Sequence, residues 1–155
     1  ELTLRRVGRL SQGLAVFLWG AGRLHLTWDL PRVALTLAAV AGGFCLFYGL
    51  VVLQATMAFW TTESLEIMNS FTYGGVMTAQ YPLVIYRTEF RRFFTYVVPL
   101  ACISYYPLLA ILGHPDPLGS PVWFQWLAPA VGVLFLVVSL LAWRMGVRHY
   151  CSTGS

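Results

Sequence analysis

VALTLAAVAGGFCLFYGLVVL, residues Val33–Leu53, decides the fold class. The run carries no charge, and a helix built from it is apolar on every side. A helix rising 1.5 Å per residue needs about 20 apolar residues to cross a hydrocarbon core of roughly 30 Å, and this stretch supplies them. A strand of a membrane barrel alternates apolar and polar residues over about ten positions, a pattern absent here. Backbone groups in lipid find no water to bond, so the run satisfies them internally as a helix.

Working outward from this run, charges divide the chain. Arg32 to Glu63 leaves 30 uncharged residues, Glu66 to Arg87 leaves 20, Arg92 to Asp116 leaves 23 and Asp116 to Arg144 leaves 27, whereas Arg9 to Arg23 leaves only 13. Four intervals are long enough to span and one is not. The expectation is an all-α integral membrane protein, a single transmembrane domain over 1–155. It has about four transmembrane helices near 33–60, 64–86, 93–112 and 123–143, preceded by a short cytoplasmic interfacial helix over 10–28. A tilted span with Arg23 reaching for the headgroups is the alternative for that first segment.

Composition agrees. Hydrophobic residues make up 58% of the chain and charged residues 10%, where a soluble domain carries about 25% charged. That excludes a soluble globular domain and a disordered chain. All ten basic residues are Arg. Without Lys the chain lacks the phosphate-binding G-x-x-x-x-G-K-[ST] loop, so any ATP chemistry belongs to a partner. The formal net charge of +4 does not indicate nucleic acid, because the Arg residues flank apolar runs and serve orientation in a bilayer. With the C-terminus cytoplasmic beside Arg144 and Arg148, the first span starts inside at Arg32 and the second starts outside near Glu63. The third starts inside at Arg87, Arg91 and Arg92, and the fourth starts outside after the turn-rich loop GHPDPLGSP, Gly113–Pro121. On this scheme the first and fourth spans run in opposite directions. Trp28, Trp60, Trp123, Trp126 and Trp143 fall at span ends, as an aromatic belt requires.

Few residues suggest chemistry. Cys45, Cys102 and Cys151 and the scattered His25, His114 and His149 have no metal-ligand spacing, and no G-x-S-x-G nucleophile pattern occurs. No catalytic, cofactor-binding or metal residue is expected on this chain. Glu63 and Glu66 open the second span, where they either complement its helix dipole or form an outer-mouth site for a cationic or polar substrate at the start of a translocation path. Its interior carries Asn69, Ser70, Tyr73, Thr78 and Gln80, residues that either hydrogen-bond across a helix interface or line a translocation path. Pro82, Pro99, Pro107 and Pro129 permit kinks. Arg87, Glu89, Arg91 and Arg92 form a charged turn, suited either to orientation beside anionic lipid or to docking a cytoplasmic partner.

The strings FWTTESLEIMNSFTYGG (Phe59–Gly75), QYPLVIYRTEFRRFFTYVVPLACISYYPLLAILG (Gln80–Gly113) and WRMGVRHYCSTGS (Trp143–Ser155) resemble the permease subunits of bacterial type-two ABC transporters with six spans per permease. The resemblance rests on Phe59-Trp60, Tyr81-Pro82-Leu83, Pro99, Pro107 and the closing Trp-Arg-x-Gly-x-Arg-x-Tyr, in order along the chain. It implies the C-terminal part of such a permease in the bacterial inner membrane, with the family's first spans preceding Glu1. It implies export driven by two separate ATPase subunits below a pair of permeases, with Arg87–Arg92 as a coupling element and Arg5–Trp28 in the other cytoplasmic region. A secondary carrier or channel is the alternative, disfavoured because no Asp, Glu or Lys lies mid-span.

Overall fold

The computed structural model describes residues 2–24, 27–57, 74, 81 and 85–149, and the regular elements among these are helical. The chain divides into two compact units, Glu1–Leu30 and Pro31–Ser155.

The first unit is one helix, α1 (Leu2–Arg23). It begins well before the expected residue 10, since no proline interrupts 2–9. Val7, Leu10, Leu14, Phe17, Leu18 and Ala21 recur at the three- and four-residue spacing that makes a stripe, while Arg9, Gln12 and Arg23 take the opposite side. Val7, Leu10, Leu14, Phe17 and Leu18 of this stripe are exposed. Arg23 closes the last turn, where a cation complements the helix dipole, and its guanidinium stands 5.6 Å from the Trp19 ring centroid. Trp28 meets Phe17 edge-on at 5.8 Å.

The second unit opens on α2 (Leu30–Met57), the Val33–Leu53 run extended at both ends. At 28 residues it is about 42 Å long. Its hydroxyls are satisfied within the helix, Thr36 donating to the Arg32 carbonyl at 2.9 Å and Thr56 to the Val52 carbonyl at 2.7 Å. The expected second span, 64–86, lies outside the described residues except for Gly74, Tyr81, Ile85 and Tyr86.

The third apolar interval departs from a single straight helix over 93–112. It starts earlier, as α3 (Thr88–Arg92) continued by a π-helical turn over Phe93–Val97, and resumes as α4 (Leu100–Ile103) and α5 (Tyr105–Leu112). The axes of Thr88–Val97 and Leu100–Leu112 are bent by 70°. Pro99 is the cause, since it has no N–H to bond the carbonyl four residues back. The Val98 amide bonds the Phe93 carbonyl, five residues back, at 3.1 Å. Leu100 N–H then donates to Val98 at 2.6 Å, with Pro99 at φ −74° and ψ 52°, the inverse γ-turn geometry. The Thr95 carbonyl that a residue-99 amide would have bonded accepts the Cys102 thiol instead, at 3.8 Å. Pro107 adds no comparable bend, because it occupies the first turn of α5, where amide donors have no intrahelical partner.

The fourth interval is likewise interrupted. It comprises α6 (Val122–Leu127) and α7 (Ala130–His149), separated at Pro129 and ending beyond the expected 143.

α2 and α7 approach backbone to backbone. A Cβ on Gly42 meets the Pro129 carbonyl oxygen at 2.5 Å, one on Gly132 collides with the Gly42 carbonyl, and one on Gly49 meets Phe135 Cδ1 at 2.9 Å and Ser139 Oγ at 3.1 Å. In lipid, helices associate by van der Waals packing, which small residues make possible. The pairing order also fixes direction. Gly42 sits at Pro129–Gly132 and Gly49 at Phe135–Ser139, so numbering rises together and the two helices run parallel. The expectation that they run in opposite directions is corrected. The bent pair runs the other way: Gly43 faces Ile103, Thr36 and Val40 share a groove with Pro107 and Ile111, and Leu46 and Leu50 form a buried cluster with Phe94, Val98 and Leu100. The end of the unit holding Met57 therefore also holds Thr88–Arg92 and the C-terminal end of α7. The end holding Arg32 also holds the 113–121 loop. The outward faces, including Leu37, Phe44 and Tyr48 of α2 and Val133, Val137 and Leu141 of α7, are exposed and apolar, as lipid-bathed helices require.

Candidate functional site

The four residues singled out by their charge lie together at the Met57 end. Arg87 precedes α3 in extended conformation, φ −60° and ψ 153°, which lets the chain enter the helix. Glu89 occupies the first turn, and Arg91 and Arg92 the last, each sign matched to the helix dipole. Arg87, Glu89 and Arg92 are exposed, while Arg91 is half-buried and donates from Nη2 to Thr88 Oγ1 at 3.2 Å. The surface thus offers three guanidinium groups, each able to make paired hydrogen bonds to a carboxylate.

An aromatic ladder connects this surface to the interior. The Tyr86 and Phe90 rings lie 5.0 Å apart, and Phe90 and Phe94 4.7 Å apart, the spacing of favourable aromatic pairs. Phe94 is buried in the cluster with Leu46 and Leu50. The Thr95 hydroxyl ties back to the Arg91 carbonyl at 2.8 Å, and the Thr95 carbonyl receives the Cys102 thiol across the bend. The charged turn is therefore in direct packing continuity with the bent pair.

The opposite end carries a polar clasp. α5 stops at Gly113, whose φ of 68° is the left-handed conformation that glycine adopts without strain. Gly113 N–H bonds Ala110 at 3.3 Å and His114 N–H bonds Leu109 at 3.2 Å, closing the helix in a Schellman motif. Asp116 then gathers the loop. Its Oδ1 accepts from Tyr105 Oη at 2.9 Å and from Leu118 N–H at 3.0 Å, and its Oδ2 from Ser120 N–H at 3.1 Å. Burial pushes the Asp116 carboxyl up, but the hydrogen bonds from Ser120, Leu118 and Tyr105 outweigh it and hold the carboxyl below its ordinary value. Ser120 passes the network on to α6: its hydroxyl lies 3.2 Å and its carbonyl 3.4 Å from Gln125 Nε2. Gln125 is only 3% exposed.

Glu63, Glu66, Asn69, Ser70, Tyr73, Thr78 and Gln80, the candidate path residues, lie outside the described residues. Reading the sequence alone passed over Cys102, Tyr105, Asp116 and Gln125. A signal for Cys102 existed in Pro99, since the carbonyl that Pro99 orphans needs a donor. One for Asp116 existed in Asp-Pro-Leu-Gly-Ser, where an Asp side chain bonds the backbone two residues on. Tyr105 and Gln125 carried none.

A family model described as ABC-2 family transporter protein matches residues 1–154. No curated protein and no solved structure matches the chain.

Proposed function

Since this chain belongs to the ABC-2 transporter family, a family of multi-pass membrane transport components, we propose that it is the permease part of an ATP-driven exporter in a bacterial inner membrane. ATP hydrolysis then takes place on separate ATPase subunits, and a second permease completes the translocation unit. The observation that carries this reading is the family match over 1–154, to which the structure adds a charged, helix-borne surface joined to a bent helix pair. The Arg87, Glu89, Arg91 and Arg92 surface is the proposed ATPase dock. An acidic cleft on the partner pairs with its guanidinium groups, and displacement of α3 reaches Leu46 and Leu50 through Phe90 and Phe94. Glu63, Glu66, Asn69, Ser70, Tyr73, Thr78 and Gln80 are the proposed path residues. A mostly uncharged path favours an apolar, amphipathic or peptide-like cargo.

The test is the double change Arg91→Ala and Arg92→Ala in the native complex. Removing one side of a desolvated charge pair costs about 2–5 kcal/mol, while a rim charge costs little. Loss of the co-purifying ATPase, or ATP hydrolysis without transport, with unchanged insertion is the expected result. A correctly inserted double variant that binds the ATPase and transports at the wild-type rate refutes the docking role.

A further inference from the structure

We infer that the C-terminal half of α7 binds one anionic phospholipid. Its phosphate is held by Arg144 and Arg148, and the upper part of an acyl chain fills the groove over Val137, Leu140 and Leu141. This rests on the chain being a membrane protein and is independent of whether an ATPase couples to it.

Helical spacing makes the site amphipathic. At 3.6 residues per turn, Val137, Leu141, Arg144 and Arg148 fall on one face of α7. Ser139, buried against Gly49, takes the opposite face. The stripe is apolar toward the middle of the helix and doubly cationic toward its end, and these four residues are exposed. Among the described residues, Val137, Leu140, Leu141, Trp143 and Arg144 line a groove of about 350 Å³. From Val137 to Arg144 the helix rises about 10 Å, room for the chain segment next to a headgroup. Trp143 borders the groove where apolar side chains give way to arginine, and tryptophan rings settle at headgroup level. The two guanidinium groups are therefore at phosphate depth, and Val137 and Leu141 are in hydrocarbon.

Charge selects the occupant. Like charges four residues apart on a helix repel, and no Asp or Glu follows Asp116 in this sequence to offset Arg144 and Arg148. At the same end of the unit, α3 adds Arg87, Arg91 and Arg92 against Glu89. The same surface of a second copy would bring more cations than carboxylates. An acidic soluble partner meets the arginines but leaves the groove to lipid. A phospholipid of net negative charge meets both parts: its phosphate accepts paired N–H bonds from a guanidinium, and its acyl chain covers Val137 and Leu141. Arginine excess and anionic lipid both mark the cytoplasmic leaflet, where the site would draw its ligand.

Quenching of Trp143 fluorescence by brominated lipid tests the site. The full-length chain is reconstituted into vesicles of phosphatidylcholine and phosphatidylglycerol, with bromine on the acyl chains of one lipid or the other. The Trp143 signal is the difference between wild type and Trp143→Phe. Brominated phosphatidylglycerol is expected to bind there about tenfold more strongly than brominated phosphatidylcholine, the preference that one or two basic contacts at a membrane surface supply. Arg144→Gln with Arg148→Gln, both at exposed positions, is expected to bring the two lipids to parity. Arg144→Lys with Arg148→Lys keeps the charge and is expected to keep a preference for phosphatidylglycerol. Leu141→Phe, which fills the groove, is expected to weaken quenching by phosphatidylglycerol. Equal quenching by the two lipids in wild type overturns the site, as does an unchanged preference in the Gln pair. Relief of quenching by soluble glycerol phosphate overturns it in favour of a soluble phosphate ligand. Self-association lost in the Gln pair, with no lipid preference in wild type, overturns it in favour of a second copy.

Discussion

Changing Gly132 to Ala tests the close approach of α2 and α7. The added Cβ collides with the Gly42 carbonyl oxygen and lies 2.7 Å from the carbonyl carbon. Both are backbone atoms, so no side chain can swing away and the helices must separate. Overpacking of this kind costs about 1–3 kcal/mol, offset by the roughly 0.5–1 kcal/mol that Ala gains over Gly inside a helix. A net loss of about 1–2 kcal/mol follows. Gly49→Ala is milder, because its nearest neighbours, the Phe135 ring edge at 2.9 Å and the Ser139 hydroxyl at 3.1 Å, are side-chain atoms, and the nearest backbone atom, Leu136 Cα, lies at 3.3 Å. Gly43→Ala meets only Ile103 Cδ1 at 3.6 Å, an ordinary contact, and leaves stability unchanged or slightly raised. Thermal unfolding of the three variants, purified in one detergent and carrying Cys45→Ala and Cys151→Ser, followed by fluorescence of a thiol reagent reacting at the buried Cys102, ranks them. The order Gly132→Ala least stable, then Gly49→Ala, then Gly43→Ala is expected. Equal stability of Gly132→Ala and wild type, or an equal loss in Gly43→Ala, refutes the parallel glycine contact.

Three further outcomes follow from the bend and the clasp. Tyr105→Phe removes one hydrogen bond to a carboxylate and lowers stability by about 1.5 kcal/mol, and Asp116→Ala, which releases three donors, by about 2–3 kcal/mol; similar melting of both variants and wild type counts against the clasp. Because the Asp116 carboxyl is held below its ordinary value, its contribution is complete above the unfolded value of about 3.9 and is lost as pH falls through the lower folded value. A melting profile in detergent should therefore show an acid limb below about pH 4 that Asp116→Asn shortens, and an unaltered limb in that variant contradicts the assignment. Cys102→Ala leaves the Thr95 carbonyl without its donor and costs about 1–2 kcal/mol, whereas Cys102→Ser keeps a donor and loses less; the reverse order in a melting comparison removes the thiol from the account of the bend.

The sequence by itself determined that the chain is helical and membrane-embedded, because uncharged intervals of 20 to 30 residues leave the backbone no other way to bond in lipid. It also determined where charge would sit, since the charged turn and the loop around Asp116 are local features, and family-specific strings such as the Tyr81-Pro82-Leu83 and Trp143–Tyr150 segments. Proline positions announced the interruptions at 99 and 129. Only the tertiary structure decided how far the chain bends at Pro99, because that depends on which donor reaches the Thr95 carbonyl, and Cys102 is seven residues away. Only the tertiary structure decided direction as well. Counting intervals assumes that each crosses once and that sides alternate, which makes the first and fourth spans antiparallel. Gly42 against Pro129 and Gly132, and Gly49 against Ser139, pair positions some 90 residues apart. A charge-and-hydropathy reading has no access to that contact, since lipid-facing and helix-facing surfaces are equally apolar and only steric fit between small residues tells them apart.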